Sequence, residues 1–122
     1  MKENIIKTKS FKFALKVVEI YKFLIENKKE YVLSKQILRS GTSIGAMIYE
    51  SEHAESKQDF IHKLAIAQKE ANETKYWIEL LSQSQFINRA IYDGLVTDIE
   101  EIQKIISSSI ITSKKSLEKY RL

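Results

Sequence analysis

The chain has 122 residues, a formal net charge of +4, three glycines, and neither cysteine nor proline. Its length predicts a single domain, and the lack of cysteine excludes a disulfide scaffold and a thiolate zinc site and fits a reducing cytoplasm. Proline breaks helix interiors and punctuates turns, so its absence favours long helices joined by few, short connections.

The first helix is predicted from about residue 9 to residue 27, because apolar side chains recur there at steps of three and four. The steps form two neighbouring stripes. One stripe contains Phe11, Ala14, Val18, Tyr21 and Ile25, and the other contains Phe13, Val17, Ile20 and Leu24. Together they make an apolar surface wider than a single partner helix needs. Lys12 and Lys16 interrupt any continuous apolar run, so neither a signal peptide nor a membrane partner is expected.

The second helix is predicted from about residue 34 to residue 53, with Ser34 as its cap. Its core stripe consists of Ile37, Gly41, Ile44 and Ile48. The G-x-x-x-G spacing of Gly41 and Gly45 is one residue too short for a Walker phosphate loop, and no lysine follows it. Each glycine inside a helix costs about 1 kcal/mol relative to alanine. We therefore interpret this thin segment as a close-packing site, where leucine at either glycine would disrupt folding or assembly.

Two more helices are predicted, over residues 57–83 and 89–117, with caps at Ser56 and Asn88. The third helix has the stripe Phe60, Leu64, Ala67, Ala71, Thr74, Ile78 and Leu81, and the fourth has Ile91, Leu95, Ile99, Ile102 and Ile106. Four amphipathic helices with short turns predict one all-α domain over residues 1–122, folded as an antiparallel up-down-up-down four-helix bundle.

A polar row on the second helix contains Arg39, Ser43 and Glu50, at steps of four and seven. An antiparallel turn near residues 54–56 places position 39 opposite positions 70–73. Arg39 is therefore predicted to pair with Glu70 or Glu73, because a partly buried charge needs a partner. The alternative is that Arg39 faces a nucleic-acid phosphate.

Fifteen residues of the second and third helices occur in the order of a known family pattern. They are Gln36, Ile37, Arg39, Ser40, Ser43, Ile44, Ala46, Ile48, Glu50, Asp59, Phe60, Ile66, Ala67, Glu73 and Thr74. In these residues the chain resembles the four-helix-bundle proteins encoded within intervening sequences of bacterial 23S ribosomal RNA genes. Met47 and Glu70 depart from the pattern, standing where that family has asparagine and serine.

The resemblance implies a homopentamer of four-helix bundles. A similar bundle is the accessory protein of diversity-generating retroelements, which is basic, binds nucleic acid and partners a reverse transcriptase. A pentamer would also cover the part of the first helix's wide apolar surface that one bundle leaves exposed.

Charge is distributed unevenly along the chain. Residues 1–39 carry ten Lys and Arg against four acids, residues 50–101 carry five against eleven, and residues 102–122 carry five against one. The basic ends can attract an anionic polymer, and they can equally pack beside the acidic helices. Both interpretations stay open.

Two patterns of ionisable side chains resemble the metal-binding sites of enzymes. Glu50 with His53, and Asp59 with His62, have the i, i+3 spacing of di-iron ligands. Glu70 with Glu73, and Asp98 with Glu101, resemble the acid pairs of magnesium-dependent nucleotide pyrophosphohydrolases. Acids at this spacing are also common on solvated helix faces, and that interpretation is preferred here. No catalytic residue, metal ion or cofactor is therefore expected.

Three hypotheses of function follow. The first is a non-enzymatic, self-assembling module that binds RNA or DNA through lysines, with Lys9, Lys12, Lys16 and Lys35 as the candidate contacts. The second is a scaffold that docks another protein without nucleic acid. The third is the magnesium-dependent pyrophosphohydrolase.

Overall fold

The protein is all-α. The computed structural model describes residues 2–119, with side chains from residue 5 onward, and contains the helices α1 (Lys2–Asn27), α2 (Leu33–Ser51), α3 (Lys57–Gln83) and α4 (Arg89–Lys119). Each helix packs on the next one, and α4 returns to contact α1. Within the described residues, no two Cα atoms of the diagonal helix pairs, α1 with α3 and α2 with α4, lie within 8 Å of each other. This arrangement fits the predicted up-down-up-down bundle. Residue 1 and residues 120–122 of the predicted domain lie outside the described part.

The core is built from one stripe of each helix. The predicted stripes of α2, α3 and α4 are buried, apart from Phe60 and Ile91 at their beginnings, which are partly exposed. In α1 the second stripe is the buried one, with Phe13 and Val17 almost inaccessible to solvent, whereas Phe11 of the first stripe is 64% exposed. The bundle therefore uses only part of the wide apolar surface of α1.

The first helix is longer than predicted. It begins at Lys2 rather than near residue 9, and the added turns bury Ile6 against the core. The sequence pattern missed this extension because the polar Ser10 occupies the step between Ile6 and Phe13 in the buried stripe.

Two of the three predicted caps are confirmed. The Ser56 hydroxyl accepts a hydrogen bond from the backbone amide of Asp59 at 3.0 Å, and the side-chain oxygen Oδ1 of Asn88 accepts one from the backbone amide of Ile91 at 2.9 Å. A side-chain oxygen at these positions satisfies a backbone donor that the first helical turn leaves unpaired.

The predicted cap at Ser34 is wrong. Ser34 is buried inside the first turn of α2, and the Glu30 carboxylate caps this helix instead. It accepts hydrogen bonds from the amides of Val32, Leu33 and Ser34 at 3.2, 3.0 and 2.7 Å. Partial burial acts to raise the pKa of Glu30, but the three amide donors outweigh it and hold that pKa below its ordinary value of 4.5.

Candidate functional site

Gly41 packs tightly against a side chain of α1. A Cβ atom on Gly41 would lie 2.8 Å from Cγ2 and 2.9 Å from Cγ1 of Val17, closer than carbon atoms pack. Val17 is fully buried and branched at Cβ, so it has little freedom to move aside. The close-packing interpretation of the small-residue segment is therefore confirmed at this residue.

Gly45 has a different environment. A Cβ atom there would lie 3.4 Å from the carbonyl oxygen of Ser10, which is ordinary van der Waals contact. The backbone of α1 therefore lies against Gly45 with room for one added methyl group, and the disruptive effect of leucine at this position stays a prediction. Gly45 also forms part of the floor of an open groove on the outer side of α1 and α2.

This groove, which we call the α1–α2 groove, is the main apolar feature of the described surface. It has a volume of about 810 Å³, and its floor consists of the small residues Ala14, Gly45 and Ala46. Its walls are the large apolar side chains Phe11, Leu15 and Tyr49, which are 64%, 52% and 56% exposed. The hydroxyl groups of Ser10 and Thr42 also line the groove, but each donates to a carbonyl oxygen of its own helix, so the groove is built for an apolar occupant rather than for acid-base chemistry.

Lysines line the rim of the α1–α2 groove. The ammonium group of Lys7 lies 5.1 Å from the centre of the Tyr49 ring and 3.2 Å from a carboxylate oxygen of Glu52. Lys12 is exposed and forms no ion pair with the described residues. The rim therefore carries a positive charge beside an apolar floor.

Arg39 lies where the antiparallel turn predicted it. Its guanidinium group contacts both acids, with Nη1 3.3 Å from Oε1 of Glu70 and Nη2 paired with Oε2 of Glu73. The indole nitrogen of Trp77 also donates to Oε2 of Glu73, at 3.0 Å. The guanidinium group is thus engaged by α3.

A second contact lies directly beneath this ion pair. The hydroxyl groups of Ser40 and Thr74, both fully buried, hydrogen-bond each other at 2.9 Å. The Thr74 hydroxyl is also 2.7 Å from the carbonyl oxygen of Glu70 in its own helix. The dipeptides Arg39-Ser40 and Glu73-Thr74 therefore clasp α2 to α3 by one exposed and one buried polar contact. These contacts give a structural reason for two residue pairs of the family pattern, Arg39-Ser40 and Glu73-Thr74.

The rest of the polar row is also structural. The Ser43 hydroxyl donates to the carbonyl oxygen of Arg39 at 2.6 Å, within its own helix. Glu50 pairs with Lys63 of α3 at 3.2 Å. Exposed pairs of this kind contribute about 0–1 kcal/mol each, so they align the helices more than they stabilise them.

The four candidate lysines do not form one free cluster. Lys9 pairs with Glu101, and Lys16 pairs with Asp98, both across the interface of α1 with α4. Lys35 is exposed at the start of α2 and, like Lys12, forms no ion pair with the described residues. Sequence reasoning missed the acidic partners because α1 and α4 are far apart along the chain, and their contact depends on how the bundle closes.

The same contacts engage the acids proposed for metal chemistry. Glu70 and Glu73 are held by Arg39, and Asp98 and Glu101 by lysines of α1. In the described part of the chain, no three His, Asp or Glu side chains come together as a metal-binding group. His53 and His62 are both exposed, and the ring of His53 lies 5.7 Å from that of Tyr49.

An exposed aromatic residue, Tyr76, lies on the outer row of α3. It is 60% exposed, and its ring meets that of Trp77 edge-on at 5.0 Å. Glu79, about one turn further along, accepts hydrogen bonds from the Tyr92 hydroxyl at 2.5 Å and from the Gln83 amide at 2.9 Å. The hydrogen bond from Tyr92 is the largest cause of a lowered pKa of Glu79, and the bond from Gln83 adds to it. The hydrogen bond between Tyr92 and Glu79 also raises the pKa of Tyr92.

Comparison with known proteins gives a family and a solved structure. A model of the family described as 23S rRNA-intervening sequence protein matches residues 2–108. The chain is 55% identical to a protein of unknown function from the S23 ribosomal protein family of Bacteroides thetaiotaomicron. That crystal structure has a TM-score of 0.89, and the match covers 90% of this chain and 98% of the other. None of the curated proteins matches the chain.

The family model spans most of the chain, and the solved relative has the same fold over nearly its whole length. Among the described helices, none is both long and apolar enough to cross a membrane. The chain belongs to the family of 23S rRNA-intervening sequence proteins.

Proposed function

We propose that this protein is a cytoplasmic, non-enzymatic module whose function is to assemble with copies of itself, as a homopentamer, through the α1–α2 groove. One observation carries the proposal: Phe11, Leu15 and Tyr49 expose large apolar side chains around a single groove. The number five comes from the family resemblance and not from the groove.

A single bundle leaves the apolar side chains of the α1–α2 groove in contact with water. Burying a large apolar side chain completely contributes about 1.5–3 kcal/mol, and each of the three groove residues is only about half buried within one chain. Contiguous apolar patches with polar rims are typical of protein interfaces. A second copy that covers the groove would therefore gain several kcal/mol from these three side chains, and the contacts around them supply the rest of what association costs in lost translational and rotational freedom.

The test is a molar-mass measurement by light scattering on the full chain and on two matched variants. Leu15→Glu places a charge in the groove, and Ile111→Glu makes the same change at a similarly exposed residue of α4 outside it. We expect wild type and Ile111→Glu at five times the 14.2 kDa chain mass and Leu15→Glu as a folded monomer. A monomeric wild type, or equal masses for all three proteins, would contradict the proposal.

A second candidate function, nucleic-acid binding, is supported by the free exposed lysines Lys12 and Lys35. Such contacts are sequence-independent and weaken steeply with salt. Filter binding of RNA and DNA over a range of salt concentrations tests this function, and we expect Lys12→Gln with Lys35→Gln to reduce the salt slope by about two. No binding even at low salt would favour a scaffold that docks another protein, and magnesium-dependent hydrolysis of nucleoside triphosphates would favour the pyrophosphohydrolase.

A further inference from the structure

We infer that the α1–α2 groove receives the exposed row of α3 around Tyr76 from a second copy of this chain. This row, which we call the Tyr76 face, consists of Asn72, Tyr76 and Glu79. The inference rests on the proposed self-assembly and names the surface that the groove binds. Because the groove and the Tyr76 face are different surfaces, the contact is heterologous, which is the kind of interface that closes a ring.

Charge selects the Tyr76 face among the exposed apolar side chains of the described surface. The candidates outside the groove are Ile5, Tyr31, Val32, Tyr76 and Ile111. Ile5 and Ile111 both lie beside Lys104. Tyr31 and Val32 follow two consecutive lysines, Lys28 and Lys29, and the acid between them, Glu30, is engaged by the backbone amides that begin α2. The lysine-bearing rim of the groove would be repelled by each of these surroundings, because like charges at an interface oppose association.

The surroundings of Tyr76 are predominantly acidic. Glu73 precedes it by about one turn and Glu79 follows by about one turn, and residues 70–101 carry seven acids against two bases. The adjacent Lys75 is paired with Glu100 at 3.5 Å. Lys69 is a base on the same row, about 10 Å away along the helix. The Glu79 carboxylate accepts hydrogen bonds from the neutral groups of Tyr92 and Gln83 but forms no ion pair with a described base, so its charge can attract Lys12 of the neighbouring copy.

The groove has room for an aromatic ring. Glycine and alanine form its floor, with Phe11 and Leu15 of α1 on one side and Tyr49 of α2 on the other, so a flat ring can enter between the two helices. Tyrosine is enriched at interfaces because its ring contributes apolar contact while its hydroxyl stays near the wet rim. A groove-to-groove contact is disfavoured, because it would direct the Lys12 side chains of two copies at each other.

A mixing experiment tests the inference. Leu15→Glu blocks the groove and leaves the Tyr76 face intact, whereas Tyr76→Glu blocks the face and leaves the groove intact. We expect each variant alone to be a folded monomer by circular dichroism and light scattering, and an equimolar mixture to form a one-to-one heterodimer. Ile111→Glu is the matched control and should assemble as wild type does.

The outcomes separate this inference from the proposed function. If Tyr76→Glu assembles as wild type does while Leu15→Glu does not, self-assembly through the groove stands and the Tyr76 face is the wrong partner. Two monomeric variants that fail to combine would show that the groove and the Tyr76 face do not meet across one interface, and would overturn the inference. A monomeric wild type would overturn both proposals.

A charge exchange provides an independent readout. Lys12→Glu should weaken association by about tenfold, and adding Glu79→Lys in the same chain should restore it. Restoration is expected only if the two positions face each other between copies, since the residues lie on different helices of one bundle. Additive losses from the two substitutions would count against the pairing.

Discussion

At the residue scale, one added methyl group should have opposite effects at two glycines of this chain. Gly94→Ala is expected to raise the free energy of unfolding by up to about 1 kcal/mol, because it improves helix propensity and a Cβ there meets nothing within 4 Å. Gly41→Ala gains the same propensity but forces Val17 to move, and overpacking a core costs about 1–3 kcal/mol. Urea denaturation of both variants measures the difference. Equal shifts in one direction would contradict the close-packing assignment.

A second residue-scale prediction concerns the cap of α2. Glu30→Gln should lower the free energy of unfolding by about 1 kcal/mol at neutral pH, because a neutral amide accepts the three backbone donors less strongly than a carboxylate. Glu19→Gln is the matched control, since it removes the same charge from an exposed position of α1. Thermal or urea unfolding of both variants checks the prediction.

The pH dependence of this effect has a definite sign. The folded-state pKa of Glu30 is lowered, so its contribution is fully present above the ordinary value of 4.5. It is lost as the pH falls through the lower folded-state pKa, where the carboxylate takes up a proton. Wild type and Glu30→Gln should therefore converge in stability as the pH falls below 4.5, and a difference that stays constant throughout the acid range would exclude this origin.

Sequence reasoning found Gly41 but missed Glu30, for a physical reason. A helical glycine has an energetic cost, and Gly41 stands among other small residues, Ser40, Ser43 and Gly45, which together favour close packing. Ser34 has the standard residue type for a cap, and nothing local shows that the chain turns so that Glu30 reaches back to the first turn instead. The conformation of the turn decides between them, and that conformation is set by the packing of α1 on α2.

At the element scale, the clasp between α2 and α3 should respond unequally to loss of its two hydroxyl groups. Thr74→Val leaves the buried Ser40 hydroxyl without its partner and should cost about 1–3 kcal/mol. Ser40→Ala should cost less, because Thr74 still donates to the carbonyl oxygen of Glu70. In the double variant no orphaned hydroxyl remains.

A double-mutant cycle on urea unfolding measures this asymmetry. The combined variant Ser40→Ala with Thr74→Val should be more stable than the sum of the single losses predicts, because the residues are in direct contact. Strict additivity would mean that the two hydroxyl groups do not interact. Ser43→Ala is a suitable control, since the Ser43 hydroxyl bonds only within its own helix.

Helix pairings were predictable from the sequence only where the turn is short. The connection between α2 and α3 fixes their register, so the pairing of Arg39 with Glu70 and Glu73 followed from counting residues across the turn. The pairings of Lys9 with Glu101 and of Lys16 with Asp98 join the two ends of the fold. They depend on the order in which the helices surround the core, which apolar periodicity does not specify.

At the scale of the whole molecule, the uneven charge along the chain is partly cancelled by folding. Two lysines of α1 face acids of α4 across the least extensive of the four helix interfaces. Neutralising Asp98 and Glu101 should therefore free Lys9 and Lys16 for an external anion, while costing little stability because exposed ion pairs contribute about 0–1 kcal/mol. Lys9 and Lys16, two helical turns apart, would then form a basic pair on the side of α1 that faces α4.

The double variant Asp98→Asn with Glu101→Gln removes the acidic partners of Lys9 and Lys16. The variant should bind RNA and DNA more tightly than wild type, and its salt slope should rise by about two, because two more lysines reach phosphates. Glu19→Gln with Glu26→Gln is the matched control, since it gives the same net charge but removes acids that pair with none of the described bases. If both double variants gain affinity equally, net charge alone governs binding. A gain confined to Asp98→Asn with Glu101→Gln would show that folding itself masks the basic face of α1.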